Sequence, residues 1–184
     1  MKTLKTYLHE AEGIKLMLLG GPGSGKSTYS EYISEHFDIP HIYPGDMLRK
    51  SDDPEVKALI SKGEFAPLDV VVKIIKQEIA KAPNGYILDG FPRNLEQLKE
   101  MQDSNIEINR VVYLEVSEKE VIRRLTSRGR ADDTPEIVKN RLRVYERETG
   151  PVVDYYKGKK EFYSIEAEGG TPEAIANKII KEVE

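Results

Sequence analysis

Gly20-Gly21-Pro22-Gly23-Ser24-Gly25-Lys26-Ser27 matches the Walker A pattern, with Gly20, Gly25, Lys26 and Ser27 at its defining positions. Glycines let the backbone turn successive N–H groups inward, toward phosphate oxygens. Gly23, Ser24 and Gly25 supply such a cradle. A helix opening at its end adds unpaired first-turn N–H groups and a positive dipole end. Lys26 brings a mobile full charge for terminal phosphates, and Ser27 and Thr28 bring hydroxyls toward phosphate or Mg²⁺. A loop of this kind is expected to bind a nucleoside triphosphate, but it serves switches, motors and kinases alike.

A second group narrows the chemistry. In Asp89-Gly90-Phe91-Pro92-Arg93, Pro92 stiffens the turn, Gly90 permits close approach, and Arg93 projects over a crevice. Asp89, at a strand end, is placed to hold Mg²⁺ through its waters. Arg124 and Arg128, four apart, share a helix face. Arg130 follows in the turn Gly129-Arg130-Ala131-Asp132-Asp133, and Arg141 adjoins the stripe Ile137, Val138, Leu142, Tyr145. Arg124, Arg128, Arg130 and Arg141 fall within eighteen residues. As surface charge paired with glutamates they would mean little. Beside a triphosphate loop they suit transfer between two nucleotides, where planar guanidinium forks cancel phosphate repulsion. Such transfer needs no general base, because the attacking phosphate oxygen is already ionised. Catalysis then reduces to alignment, charge neutralisation and exclusion of water.

The elements that must carry these residues read as an α/β fold. Short apolar runs at Ile14 to Leu19, Tyr86 to Leu88, Val111 to Val116 and Phe162 to Ile165 alternate with helical patterns. This predicts a buried parallel sheet with crossover helices. The first run enters the glycine loop, and Ser27 to Phe37 leaves it at helical spacing. Ser51-Asp52-Asp53-Pro54, Thr134-Pro135-Glu136 and Thr171-Pro172-Glu173 each place a capping side chain before a first-turn proline and an acid, which predicts helix starts. Residues 43–73 and 128–140 are polar stretches between better-patterned elements and are expected to protrude as lids.

The 184 residues fit a single domain, 1–184, without staples. Apolar residues make up 39% and charged residues 33%, and no stretch approaches a membrane span. A net charge of -4 gives no global field for nucleic acid. With no cysteine, disulfides and thiolate metal sites are excluded, and His9, His36 and His41 lack metal spacing, so they read as solvated or packed side chains. The N-terminal segment has no apolar h-region, and a cytoplasmic location is expected.

Together these motifs resemble adenylate kinase and its nucleoside monophosphate kinase relatives over nearly the whole chain after the first dozen residues. The match takes in Gly20 to Thr28, Gly45-Asp46-Met47-Leu48-Arg49, Asp89 to Arg93 with Gln97, Arg124 and Arg128, Arg130 to Asp133, Arg141, and Ala167-Glu168-Gly169. The resemblance implies a P-loop NTPase-type parallel five-stranded sheet, order 2-3-1-4-5, with helices on both faces. It also implies an NMP-binding flap at about 43–73, a short lid at about 128–140, and transfer of the terminal phosphoryl group from ATP to AMP with Mg²⁺, by a monomer. By that likeness Lys26 and its loop hold ATP phosphates, Arg124 stacks on ATP adenine, and Gly169 touches its edge. Arg49 and Arg93 hold the acceptor phosphate, Gln97 reads its base, and Pro44, Gly45, Phe65, Ala66 and Gly90 line its site. Arg128, Arg130 and Arg141 surround the transferring group, and Asp89 with Ser27 serves the metal.

Three departures stand out. Only Gly129 separates Arg128 from Arg130, so a long zinc-bearing lid is not expected. Ser27 replaces a common Gly. Pro44 stands where AMP-selective members usually have Thr, and it lacks both a hydroxyl and a backbone N–H. With Asn94 after Arg93, this keeps a UMP/CMP kinase as the alternative, and a non-catalytic nucleotide switch as a further one. Gln97 favours AMP, because an amide can pair with the N6 and N1 edge of adenine and is costly to leave unpaired.

Overall fold

The computed structural model describes residues 13–50, 67–128 and 134–184. Its order is β1 (Ile14–Leu19), α1 (Lys26–Phe37), β2 (His41–Ile42), α2 (Pro44–Lys50), α3 (Leu68–Ile79), β3 (Gly85–Asp89), α4 (Leu95–Asp103), β4 (Arg110–Glu115), α5 (Glu118–Arg128), α6 (Pro135–Tyr156), β5 (Phe162–Glu166) and α7 (Pro172–Val183). The strands form one parallel sheet in the order β2-β3-β1-β4-β5. That is the expected order. The two-residue β2 is too short to leave a periodic signal, and the apolar runs alone did not reveal it.

Period-two alternation splits the core between the two faces of the sheet. Leu16 and Leu18 of β1 pack with Tyr29 and Ile33 of α1 and Ile175, Ala176 and Ile179 of α7. Met17 and Leu19 face the other way, toward Val72 and Ile75 of α3, Leu98 and Met101 of α4, and Val152 and Val153 of α6. All five residues of β3 are buried, as an inner parallel strand requires. Cutting Leu18 or Leu88 back to alanine would cost about 2–5 kcal/mol.

Local chemistry fixes the helix starts. Thr134 and Thr171 cap α6 and α7, accepting from the N–H groups of Ile137 and Ala174, with a proline at the first helical position in each. A smaller cluster of Val121, Leu125 and Val138 ties α5 to α6 beneath the expected lid. Ile137, which the sequence grouped with the stripe beside Arg141, is instead 40% exposed, while its neighbour Val138 is fully buried. The helix turns about 100° per residue, and here that turn carries Ile137 out to solvent while Val138 faces inward. Of the expected flap, α2 and the start of α3 are described. The helix start at Ser51 to Pro54 and residues 129–133 of the expected lid lie outside the described residues, while Thr134 to Asn140 form the cap and start of α6.

Candidate active site

β1 and β3 lie side by side with Leu18 opposite Asp89, so the glycine loop and the Asp89 to Arg93 turn leave the same edge of the sheet. This edge, at the carboxyl ends of the strands, is where open α/β sheets bind ligands. Gly25 caps α1 at φ 95°, and a Cβ there would come within 2.7 Å of the Tyr29 ring. Only glycine fits that turn.

Lys26 folds back on its own loop. Its ammonium donates to the carbonyls of Gly20 at 2.6 Å and Gly21 at 3.1 Å. Burial lowers its pKa, with Asp89 opposing the shift and Arg93 adding to it. Asp89 is 1% exposed. The Ser27 hydroxyl donates to Asp89 Oδ2 at 3.0 Å, and His41 Nε2 lies 3.2 Å from the same oxygen. Burial alone would raise the Asp89 pKa, but the His41 and Ser27 bonds and the Lys26 charge outweigh it and hold the carboxyl below its ordinary range. A buried, ionised carboxylate touching a first-turn hydroxyl is the hard-oxygen chemistry that suits Mg²⁺. Among the described residues no three His, Asp or Glu side chains gather into a cage, so a metal here would share its ligands with water and phosphate.

Arg93 follows a cis Phe91–Pro92 bond and is exposed, yet its backbone is held on both sides. Its N–H donates to Gln97 Oε1 at 2.7 Å, its carbonyl accepts from Thr149 Oγ1 at 2.8 Å, and its Nε donates to the Gly90 carbonyl at 2.7 Å. Gly90, at φ 77°, leaves room for this: a Cβ there would meet the Arg93 guanidinium at 3.1 Å and the Tyr43 ring at 3.3 Å. Asn94 caps α4, accepting from the Gln97 N–H at 2.9 Å. The carbonyl end of Gln97 is thus engaged in the turn, leaving the Nε2 end and the second Oε1 lone pair for a base.

The flap side begins at Pro44, which is buried at the first position of α2. A Cβ on Gly45 would meet the Tyr43 ring at 3.3 Å, and the Arg49 guanidinium lies 5.5 Å from the centroid of that ring. Beside the glycine loop, the Arg124 guanidinium donates to Glu120 Oε1 at 2.7 Å, to the Ala167 carbonyl at 2.6 Å and to the Ser24 carbonyl at 3.3 Å. It therefore bridges the glycine loop and the segment leading to Gly169, which takes φ 72° with open space beside it. Gly23 lies beneath α5, where a Cβ would meet Leu125 at 2.9 Å, and Thr28 is exposed in the first turn of α1. Arg141 stands on α6 one turn before Tyr145, whose ring packs beside Gly21.

The structure thus gathers Lys26, Ser27, Asp89, Gly90 and Arg93 at one edge of the sheet, with Arg124 beside the glycine loop and Arg49 on α2. Phe65, Ala66, Arg130 and the side chain of Arg128 lie outside the described residues. Sequence reasoning passed over His41, Tyr43, Glu120 and Thr149. Glu120 was detectable as the acid four residues before Arg124. His41 and Thr149 carry no local signal, since their partners are distant in sequence, and Tyr43 carries none because a lone aromatic sets no pattern.

The family model described as Adenylate kinase matches residues 18–161, which spans the glycine loop, the Asp89 to Arg93 turn and Arg141. The chain belongs to the adenylate kinase family. It is 38% identical to an adenylate kinase of Rhodococcus erythropolis over 178 residues, covering 90% of this chain and 97% of that protein. It is 37% identical to one of Prochlorococcus marinus, covering 89% and 95%, and 35% identical to one of Mycolicibacterium smegmatis, covering 90% and 97%. Adenylate kinase membership joins the fold, the glycine loop and the arginine set in one reading. No helix among the described residues is long and apolar enough to cross a membrane.

Proposed function

We infer that this adenylate kinase family member transfers the terminal phosphoryl group of ATP to AMP, giving two ADP. The observation that carries the reading is the meeting of Lys26, Asp89 and Arg93 at the mouth of β1 and β3, where Lys26 feels the charges of both Asp89 and Arg93. A switch needs one phosphate-binding group, whereas two facing groups suit a transfer.

In the reaction, an ionised oxygen of the AMP phosphate attacks the terminal phosphorus of ATP in line. A new P–O bond forms, and the bond to the bridging oxygen breaks to leave ADP. The glycine-loop N–H groups and Lys26 hold the ATP phosphates. Lys26 exchanges its carbonyl partners in the loop for phosphate oxygens. Arg124, fixed by Glu120 and Ala167, offers its planar face to the adenine beside Gly169. Arg49 and Arg93 hold the AMP phosphate, and Pro44, Gly45, Phe65, Ala66, Gly90 and Gln97 line the acceptor site. Arg128, Arg130 and Arg141 neutralise charge on the moving group. Asp89, through water, and Ser27 would hold Mg²⁺, which supplies further charge neutralisation across the phosphates. The flap, about 43–73, and the lid, about 128–140, close to exclude water. The protein acts as a cytoplasmic monomer.

AMP is favoured over CMP or UMP as acceptor because Gln97 keeps its Nε2 end for the adenine edge, while the Asn94 side-chain carbonyl caps α4. A coupled assay across AMP, CMP, UMP and GMP tests this. AMP should turn over fastest, by roughly tenfold or more. Fastest turnover with CMP or UMP would overturn the acceptor assignment.

A further inference from the structure

A threonine inside a helix ordinarily bonds its hydroxyl back to a carbonyl one turn earlier. Thr149 does otherwise. It is 6% exposed on α6, and its hydroxyl reaches across 56 positions of sequence to the Arg93 carbonyl at 2.8 Å. We propose that Thr149 is a positioning residue that locks the Arg93 backbone to α6, so that one helix sets Arg93 against both Arg141 and the phosphate loop. The proposal rests on the reading of Arg93 as an acceptor-phosphate arginine.

Three features of α6 act together. Arg141 and Thr149 are eight residues apart, about 12 Å along the axis at 1.5 Å per residue. Between them, Leu142 and Tyr145 pack beside Gly21 of the phosphate loop, 3.5 and 3.7 Å from where a Cβ would stand on that glycine. At the far end of this face Thr149 holds Arg93, whose N–H and Nε are already held by Gln97 and Gly90. The other two anchors of Arg93 come from its own turn and from α4. Thr149 supplies the link to the helix that carries Arg141. Losing it would leave the guanidinium present but free to drift, and small misplacements of a phosphate-binding group are expensive in transfer reactions.

The test uses Thr149→Val, which keeps the branched shape and removes the donor, and Thr149→Ser, which keeps the donor. KM for AMP, KM for ATP and kcat are measured well below each melting midpoint, with Arg93→Ala in parallel. Thr149→Val is expected to lose roughly tenfold in kcat/KM for AMP while KM for ATP stays within about twofold, and Thr149→Ser is expected to restore wild-type behaviour. If Thr149→Val does not fold, Thr149→Cys, with its weak donor, replaces it in the same comparison. Wild-type AMP kinetics in the donor-deficient variant, or equal losses for ATP and AMP that serine fails to restore, would overturn the proposal. If Arg93→Ala is inactive while Thr149→Val is normal, only the role of Thr149 falls. If Arg93→Ala turns over AMP normally, the reading of the acceptor site falls with it.

Discussion

Asp89 Oδ2 receives His41 Nε2 at 3.2 Å and the Ser27 hydroxyl at 3.0 Å, so a single buried oxygen joins β2, β3 and the first turn of α1. The carboxylate is held ionised by these partners and by Lys26, against the effect of its own burial. Asp89→Asn should therefore cost at least about a hundredfold in phosphoryl transfer, measured at saturating Mg²⁺ and both nucleotides. Its stability signature has a definite sign. A depressed pKa contributes stability that is full above the ordinary carboxyl value, about 3.9, and is lost as pH falls through the lower folded value. The stability difference between wild type and Asp89→Asn should hold steady above about pH 4 and change below it, as read by urea titration at a series of pH values.

Glu120 holds Arg124 and Arg123 at once, and the bonds to Arg123 and Arg124 bring its pKa down to about 2. Glu120→Gln should raise KM for ATP by about three- to tenfold and leave KM for AMP unchanged, because the loosened guanidinium sits on the donor side. The ion pair is fully present above the ordinary glutamate range and weakens only as pH falls toward 2. Its contribution to ATP affinity should be flat between pH 6 and 8, as isothermal titration at those pH values would check.

Asn94 caps α4 through the Gln97 N–H. Asn94→Ala should destabilise the protein by about 1 kcal/mol and leave the order of preference among AMP, CMP and UMP unchanged. Denaturant unfolding paired with the acceptor scan measures both. A switch in preference would make Asn94 a base-reading residue.

At the alkaline end, burial raises the pKa of Tyr86, which is 2% exposed, and pushes Tyr156, 6% exposed, up to about 12. A raised pKa keeps its contribution below the unfolded value, about 10, and loses it as pH climbs through the folded value. Stability should fall from about pH 10 upward, by up to about 1.4 kcal/mol per pH unit for each such phenol. Tyr155 lies on the surface with Lys159 Nζ 3.3 Å from its ring centroid, and its bonds to Lys159 and Gln102 lower its pKa. Phenolate absorbance should therefore appear in two phases, the first without unfolding.

Much of this was legible in the sequence, for local reasons. The β1 to α1 junction carries its chemistry in contiguous residues, and Thr134 and Thr171 announce their helices through proline and acid neighbours. What was missed depends on partners distant in sequence. The pairing of His41 with Asp89 spans 48 positions, and that of Thr149 with Arg93 spans 56. No periodicity reports such meetings. The strand β2 was missed as an apolar run because two residues carry no pattern, and its place beside β3 came from family likeness alone.

The pairing of Leu18 with Asp89 has a consequence for how the molecule can vary. Ladder hydrogen bonds act as a fixed ruler, holding neighbouring strands about 4.8 Å apart. The spacing of the two strand ends that lead into the glycine loop and the Asp89 to Arg93 turn is therefore set by the sheet. One residue removed from β1 or β3 would shift the scale by about 3.3 Å and turn every following side chain to the opposite face.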